Sequence, residues 1–191
     1  MATNDTRQHI IEAADRLFYE QGFESASFAD IAAEVGLSRG NFYYHFKTKD
    51  EILTAVIALR LDRTRAMLGQ WEAEGATPGE TIRSFIHMLI RNQTKIMAYG
   101  CPVGTLCNEL AKLDHCAKSD AAQLFALFRD WLARQFTALG RAVDAEALAL
   151  HLLMRSQGVA ALATAFRDED FIRREVAEME AWLDAQSPIH I

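Results

Sequence analysis

The sequence lacks the features that mark membrane, secreted and β-sheet proteins. No apolar run reaches the roughly 18 to 20 residues that a membrane span requires, and the N-terminus has no signal-peptide core. Hairpin turns of the Asn-Gly or Asp-Gly type are missing, and only 3 prolines occur. The 3 cysteines form no C-x-x-C pair and indicate neither a disulfide framework nor a zinc site. We therefore expect a cytoplasmic protein without a membrane segment, a metal site or a cofactor.

Composition favours helices packed around a core. Apolar residues make up 50% of the 191, and alanine, leucine, glutamate and arginine dominate. The formal net charge of -6 argues mildly against nucleic acid as a partner. A DNA-binding protein needs its basic residues on one surface only, however, because contact depends on local charge. The overall charge therefore does not exclude DNA binding.

Apolar spacing and capping residues predict three short N-terminal helices followed by a long one. The first helix is expected at about residues 6–21, where apolar residues form one stripe. Ser27 and Ser38 are suitable N-caps for the second and third helices. The tetrapeptide Thr48-Lys-Asp-Glu51 is a capping box that opens the fourth helix. The first three helices predict an N-terminal domain at residues 1–48, which the long fourth helix joins to the rest of the chain.

The rest of the chain is also predicted to be helical. The segment EAEGATPGE, residues 72–80, is the clearest linker. Further helices are expected at about residues 78–97, 106–113, 119–139, 144–166 and 171–185. We therefore expect an all-α protein with a second, larger domain at residues 49–191.

The stretch VGLSRGNFYYHFKTKDE, residues 35–51, has the pattern of a helix-turn-helix motif. In this motif the second helix lies in the major groove of DNA, and its N-terminal residues contact base edges. These residues are Ser38, Arg39, Gly40 and Asn41. Arg39 can donate two hydrogen bonds to guanine, and Asn41 can bind adenine or a phosphate. Gly40 is a poor helix former, and its missing side chain suits a close approach of the backbone to DNA.

Aromatic residues on the same helix are expected to contact the phosphate backbone. Phe42 and Phe46 are four residues apart, share one face and are expected to be buried. Tyr43, Tyr44 and His45 then occupy the other faces, where their polar groups can donate to phosphate oxygens. The alternative is a small helical subdomain with ordinary surface aromatics.

Two further residues are candidate phosphate contacts. Lys49 lies in the first turn of the fourth helix, where its charge opposes the helix dipole. A bound phosphate would turn that unfavourable position into an anion site built from Lys49 and free N–H groups. Ser27, at the start of the second helix, is the other candidate.

The stretch FADIAAEVGLSRGNFYYHFKTKDEIL, residues 28–53, resembles the TetR family of bacterial transcriptional repressors. The resemblance implies an all-α homodimer that binds a pseudo-palindromic operator in double-stranded DNA and releases it when a ligand enters the C-terminal domain. It implies that Arg39 and Gly40 meet bases. It also implies that the DNA backbone is held by Asn41, Tyr43, Tyr44, His45 and Lys49. The run RGNFYYHFKTK is especially similar to the multidrug-binding repressors of the family.

The segment at residues 146–166 is apolar nearly all round and is a candidate dimerisation helix. Such a helix must be covered on every side, and its glycine and alanines permit close helix approach. We expect this helix and the last one to form a four-helix bundle with their two-fold mates. The alternative is that both helices belong only to the core of one subunit.

The block YGCPVGTLCNELAK, residues 99–112, resembles a TetR subclass with a G-C-x-x-G-N-x-x-x-E block. Some members of that subclass respond to reactive electrophiles or unsaturated small acids. Thr105 replaces the usual asparagine here, and Cys107 is an additional thiol. Cys101 precedes a predicted helix, and a thiol directed at a helix N-terminus is more reactive because its anion is stabilised there. The alternative is that Cys101, Cys107 and Cys116 are inert.

A ligand cavity is expected in the C-terminal domain. Aromatic and methionine side chains with a few polar groups suit a small apolar or planar ligand. The candidate lining residues are Phe85, Met88, Leu89, Asn92, Met97, Phe125, Phe128 and Trp131. Arg155 is a candidate partner for an acidic ligand or for an interface salt bridge, and His87 and His151 are expected to be structural rather than metal ligands.

The sequence as a whole predicts a ligand-responsive repressor that binds DNA as a homodimer. Its inducer is expected to be a small apolar, planar or electrophilic molecule. The alternative is a cysteine-dependent enzyme, or a redox or electrophile sensor that acts without operator release. No Cys-His signature accompanies Cys101, so we expect that the protein is not an enzyme.

Overall fold

The computed structural model describes residues 2–186, apart from the side chains of residues 2–4 and of Arg39. Its helices are α1 (Ala2–Glu20), α2 (Phe28–Glu34), α3 (Arg39–His45), α4 (Lys49–Glu74), α5 (Pro78–Arg91), α6 (Gln93–Tyr99), α7 (Pro102–Lys112), α8 (Lys118–Ala138), α9 (Ala145–Phe166) and α10 (Glu169–Asp184). No strand occurs between residues 2 and 186, which confirms the predicted all-α fold.

By packing, the chain divides into two compact units. The first comprises the chain up to Arg63 together with Thr105–Leu124. The second comprises Thr64–Gly104 and the chain from Phe125 onward. Helices α4, α7 and α8 therefore contribute residues to both units. The domain boundary expected between residues 48 and 49 stays a prediction.

The first unit is built around the N-terminal helices. The predicted apolar stripe of α1 is buried, and it includes Ile10, Ala14, Leu17 and Phe18. Helix α3 has only 7 residues, too few to persist alone, so tertiary packing must hold it. Phe42 of α3 and Phe46, the extended residue that caps its C-terminus, provide that packing, since they are 0% and 2% exposed. Burying each ring contributes about 2 to 3 kcal/mol, which fixes the rotation of α3 about its own axis.

A partly buried ion pair joins α4 to α1 in the first unit. Arg60 is only 8% exposed, and its Nε donates to the Asp15 carboxylate at 2.6 Å. The same guanidinium donates to the Asp15 backbone carbonyl at 3.3 Å. Arg63 reaches Asp15 from the solvent side at 3.2 Å and pairs with Glu12 at 3.0 Å. The middle of α4 is thereby held against α1.

The second unit packs α5 against α10 and α6 against α9. Aromatic pairs lie in its core, with ring centroids 5.8 Å apart for Trp71 and Trp131 and 5.7 Å apart for Phe85 and Phe128. A hydrogen bond of 2.7 Å joins His87 on α5 to Glu180 on α10. His87 is exposed rather than part of the core, and its structural role stays a prediction.

Three predicted boundaries were wrong. The helix expected to run to about Met97 ends at Arg91, because the Asn92 side-chain amide donates to the Met88 carbonyl (3.0 Å) and a separate helix follows. Helix α7 begins at Pro102 rather than at residue 106, because a proline is well tolerated in the first turn. Only residues 75–77 of the expected linker lie between helices.

No helix within residues 2–186 is both long and apolar enough to cross a lipid bilayer.

Removing the carboxylate of Asp15 is expected to destabilise the protein. Asp15→Ala should lower the free energy of unfolding by about 3 kcal/mol, because a buried guanidinium loses the carboxylate that neutralises it. Glu12→Ala is the control, since it removes only an exposed pair worth under about 1 kcal/mol. Urea denaturation at one fixed protein concentration measures both values. Equal midpoints for the two variants would show that the pair does not stabilise the first unit.

Candidate nucleic-acid interface

Helix α2, the first of the helix-turn-helix pair, begins with a complete capping box. The Ser27 Oγ accepts a hydrogen bond from the Asp30 N–H at 3.0 Å, and the Asp30 carboxylate accepts one from the Ser27 N–H at 2.9 Å. The Ser27 hydroxyl, and then the Ser27 backbone N–H, hold the pKa of the Asp30 carboxyl below its usual value. The predicted N-cap is confirmed. Ser27 is exposed, and its phosphate contact stays a prediction.

The turn between α2 and α3 depends on Gly36. Its φ of +66° lies in the left-handed region that side chains disfavour. The Gly36 N–H donates to the Ala33 carbonyl and the Leu37 N–H to the Ala32 carbonyl, both at 3.1 Å, which ends α2. Ser38 then caps α3 by accepting the Asn41 N–H at 3.4 Å. Residues 35–38 therefore form the turn that ends α2 and starts α3.

The first turn of α3 is open on its outer side. A methyl group added at Gly40 would meet no heavy atom within 4 Å, so packing does not require glycine there. Asn41 is exposed, and Tyr44 is 69% exposed. The side chain of Arg39 lies outside the described part of the chain. The outer surface of α3 thus consists of polar and aromatic groups and bare backbone.

The two remaining candidates on α3 are less open than Tyr44. Tyr43 is 36% exposed, and its ring centroid lies 5.0 Å from that of Phe28. His45 is half-buried, with its ring edge-on to Tyr44 at 5.2 Å. These ring contacts restrict the orientations of both side chains. A restricted side chain loses less entropy when it binds a partner.

Lys49 binds the protein's own backbone. Its ammonium group donates to the carbonyls of Phe23 (2.9 Å), Glu24 (3.1 Å) and Ala26 (3.3 Å). The same group lies 4.4 Å from the centroid of the Phe23 ring. These contacts hold the turn between α1 and α2 and satisfy a cation whose position at a helix start is otherwise unfavourable. Its phosphate contact stays a prediction.

A carboxylate from α7 binds the same turn. Glu109 accepts the Phe23 N–H at 2.8 Å and the Glu24 N–H at 2.9 Å. Gly22 adopts φ +92°, and a methyl group added there would lie 3.0 Å from the nearer carboxylate oxygen. The N–H groups of the turn therefore donate to the Glu109 carboxylate, and its carbonyls accept from the Lys49 ammonium group. We call these contacts the Glu109–Lys49 clasp.

Comparison with known proteins shows what this region and the whole chain are similar to. Residues 10–56 match the model of bacterial regulatory proteins of the tetR family. An HTH-type transcriptional regulator of Lactococcus lactis subsp. lactis is 29% identical over 137 residues, 71% of this chain and 70% of that protein. The regulator AcrR of Shigella flexneri is 35% identical over 88 residues, 45% of this chain and 39% of that protein. A TetR-family structure from Cytophaga hutchinsonii superposes with a TM-score of 0.84 at 17% identity, covering 97% of this chain and 96% of that chain.

Residues 10–56 thus have the sequence pattern of TetR-family regulators. The matched residues include all of α2 and α3 and the start of α4, the part that forms the helix-turn-helix motif. The structural likeness extends over nearly the whole chain and shows that the C-terminal helices also have the TetR-family fold.

The predicted cavity residues of the second unit occupy different environments. Phe85, Phe128 and Trp131 are buried in the second unit. Half-buried positions are taken by Met88, Met97 and Phe125. Asn92 is exposed, because its side-chain amide caps α5. Arg155 pairs with Glu175 of α10 at 3.2 Å. The ligand roles of all these residues stay predictions.

The three thiols also differ in their surroundings. The Cys101 sulfur is half-buried and accepts the Gly104 N–H and a Gln157 side-chain N–H, each at 3.5 Å. Cys107 is half-buried and donates to the Ala121 carbonyl at 3.3 Å. Cys116 is exposed. The sequence predicted that Cys101 precedes a helix start but gave no sign of its contact with Gln157.

Sequence reasoning missed Glu109 and Gly22, although both lie in segments that it examined. Glu109 is the glutamate of the G-C-x-x-G-N-x-x-x-E block, and Gly22 ends α1. They are 87 positions apart, so no local spacing pattern could have paired them. Only the fold brings α7 to the turn after α1.

Loss of the Glu109 carboxylate is expected to loosen the turn between α1 and α2. Glu109→Ala should raise the hydrogen-exchange rates of the Phe23 and Glu24 amides about tenfold or more, because each loses a charged acceptor worth about 1.5 to 3 kcal/mol. Asn108→Ala, an exposed neighbour on α7, is the control. Amide exchange followed by NMR or mass spectrometry measures the effect. Unchanged protection at both amides would mean that the clasp does not hold the turn.

Proposed function

We propose that this protein is a ligand-responsive transcriptional repressor that binds a pseudo-palindromic operator as a homodimer. The observation that carries the proposal is the outer face of α3, where a short helix pinned by two buried phenylalanines presents bare backbone, an amide and a phenol to solvent. The match of residues 10–56 to the tetR family model supports the same function. A face built in this way suits the major groove, which admits one helix.

In the proposed complex the N-terminal turn of α3 meets base edges. Arg39 and Asn41 would donate to bases or phosphates, and Gly40 would allow the backbone to come close. Tyr43, Tyr44 and His45 would donate to phosphates on the flanks of the groove, and Ser27 would do so from the start of α2. Lys49 would add a positive charge near the backbone while it keeps its contacts to the turn.

The homodimer is supported by an apolar stripe on α9. Every fourth residue between positions 150 and 166 lies in this stripe. Four of the five are large, apolar and exposed: Leu150 (53%), Met154 (62%), Leu162 (45%) and Phe166 (69%). The remaining position is Gly158, where an added methyl group would meet nothing within 4 Å. Contiguous exposed apolar faces of this kind mark interaction sites. A second copy of the same helix fits the stripe, because the glycine permits close approach across a two-fold axis.

Ligand binding is supported by two buried polar atoms in the second unit. Trp131 is 1% exposed, and its Nε1–H has no hydrogen-bond partner among the described residues. The Oε1 of Gln93 is likewise buried and unpaired there. Each unpaired group costs about 1 to 3 kcal/mol, which a ligand that hydrogen-bonds to it would remove. We infer that the inducer is an apolar or planar molecule that accepts a hydrogen bond from the indole.

Operator release requires that the inducer bind one conformation more tightly than another. The two recognition helices of the dimer must match successive major grooves, roughly 34 to 36 Å apart. A ligand that favours a dimer with a different spacing would therefore lower the affinity for the operator. Only that difference in affinity, and not tight binding by itself, can drive release.

The Gly40→Ala variant is expected to change operator affinity and folding stability in opposite directions. Alanine should raise the free energy of unfolding by about 0.5 to 1 kcal/mol, because α3 gains a better helix former in open space. The same change should weaken operator binding about tenfold or more, because the methyl group stands between the backbone and DNA. Gly69→Ala on α4, where an added methyl group also meets nothing within 4 Å, is the control. It should gain stability and keep its affinity.

Urea denaturation and fluorescence anisotropy with a labelled operator measure the two effects. An operator is first selected from random duplexes with the wild-type protein. A Gly40→Ala protein that binds the operator as tightly as Gly69→Ala would refute the proposed contact.

Met154→Glu is expected to break the homodimer. Two copies would bring like charges together on the apolar stripe, at a cost of about 3 kcal/mol, or roughly a 100-fold rise in the dimer dissociation constant. Leu113→Glu is the control, because Leu113 is also exposed but does not lie on α9. Sedimentation velocity over a range of protein concentrations measures the constant. A dimer of unchanged strength would show that α9 is not the interface.

A further inference from the structure

An open groove borders the N-terminal end of α9 in the second unit. It has a volume of about 880 Å³ and lies between the end of α8 and the start of α9. Small and apolar side chains make up most of its lining, among them Ala133, Ala138, Ala142, Val143, Ala147 and Leu150. A concave surface of this kind suits a bulky apolar side chain.

The groove also has three charged residues, and two of them are paired. Arg134 lies 3.7 Å from a carboxylate oxygen of Glu72, and Asp144 accepts a hydrogen bond from Nε of Arg141 at 3.1 Å. Glu146 is exposed and forms no ion pair within the part of the chain that the structure describes. An occupant that carries a positive charge next to an apolar group would therefore complement the groove.

The opposite end of α9 presents such a group. Phe166 is the last residue of the helix, and its ring is 69% exposed. Arg167 follows it directly, is exposed, and ends the helix with φ +54°. The exposed stripe of α9 therefore begins at a groove that has a free carboxylate and ends at an aromatic ring beside a guanidinium.

The two ends are placed symmetrically about Gly158. Leu150, which lines the groove, and Phe166 each lie eight positions from Gly158, or about 12 Å along the helix axis. A methyl group added at Gly158 would meet nothing within 4 Å. A second helix can come close at this point, since the distance between packed helices depends on the side chains at their contact.

We propose that Phe166 of each subunit occupies the groove at the start of the partner's α9. The two α9 helices run antiparallel, and the two-fold axis passes by Gly158. In such an isologous contact each pair of residues occurs twice, so both grooves are filled. Arg167 then lies beside the partner subunit's Glu146. The inference rests on the homodimer proposed above and adds the direction of its helices and the occupant of the groove.

A parallel pair of α9 helices fits the same surface less well. It would set Glu146 beside the partner's Glu146, and like charges that face each other weaken an interface. It would also leave Phe166 beside the partner's Phe166 and the groove uncovered. An aromatic side chain buries about 150 to 250 Å² in a fitting site. The antiparallel pair gains that burial twice.

Cross-linking between two single variants tests the direction of the helices. Leu150→Cys and Phe166→Cys proteins are mixed, allowed to exchange subunits, and treated with a short bis-maleimide. The mixture should form a covalent dimer, because the two thiols meet in the mixed dimer, which also keeps one unaltered contact. Each variant alone should link no more than the wild-type protein with its own three cysteines. Its two new thiols would lie about 24 Å apart along the helix axes.

Gly158→Cys shows separately whether α9 is the interface, because this position lies on the proposed two-fold axis. If it links while the mixture does not, or if each single variant links by itself, the antiparallel pairing is overturned and the homodimer stands. If Gly158→Cys fails to link and sedimentation finds only monomer, the proposed homodimer fails instead.

Occupation of the groove is tested by two changes at exposed positions. Phe166→Ala removes the occupant and should raise the dimer dissociation constant about tenfold or more. Ala147→Trp fills the groove from within its own subunit and should have a similar effect. Because both remove the same contact, the double variant should be little weaker than either single variant. Leu113→Ala, at an exposed position outside α9, is the control.

Sedimentation velocity over a range of concentrations gives the four dissociation constants. Losses that multiply in the double variant would show that Phe166 does not lie in the groove. Two single variants that dimerise as tightly as Leu113→Ala would overturn the inference as well.

Discussion

Burial of Phe42 and Phe46 is the interaction on which the DNA-binding surface depends. Helix α3 is too short to form in isolation, so its existence and its rotation both come from these two rings. Because Phe42 points into the core, Gly40 and Tyr44, each two residues away from it on α3, lie on other faces of the helix. The same spacing that stabilises the first unit therefore determines which groups are offered to a duplex.

The Glu109–Lys49 clasp provides a second constraint. It holds the turn between α1 and α2 by its N–H groups and its carbonyls, with charged groups that make stronger hydrogen bonds than neutral ones. Glu109 lies on α7, the helix that begins beside Cys101 and its partner Gln157.

Local patterns in the sequence were enough to predict much of the fold. The apolar stripe of α1, the caps at Ser27 and Ser38, and the burial of Phe42 and Phe46 all follow from spacing within a few residues. The break at Asn92 did not, because the apolar pattern continues through it and only a side-chain hydrogen bond ends α5.

The contacts that matter most for the site were less predictable. Lys49 was expected to bind phosphate from its position at a helix start, but its carbonyl partners lie more than 20 residues earlier in the chain. Such pairings arise from tertiary packing and leave no periodic signal in the sequence.

The central claim is that two copies of α3 bind adjacent turns of one duplex. Selection of binding sites from a random duplex pool at low salt, followed by hydroxyl-radical footprinting, tests it most directly. The account predicts an inverted repeat whose half-site centres lie roughly 34 to 36 Å apart, or a multiple of that distance, on one face of the DNA. A pool that yields no enriched duplex, or a single asymmetric footprint of one half-site, would contradict it.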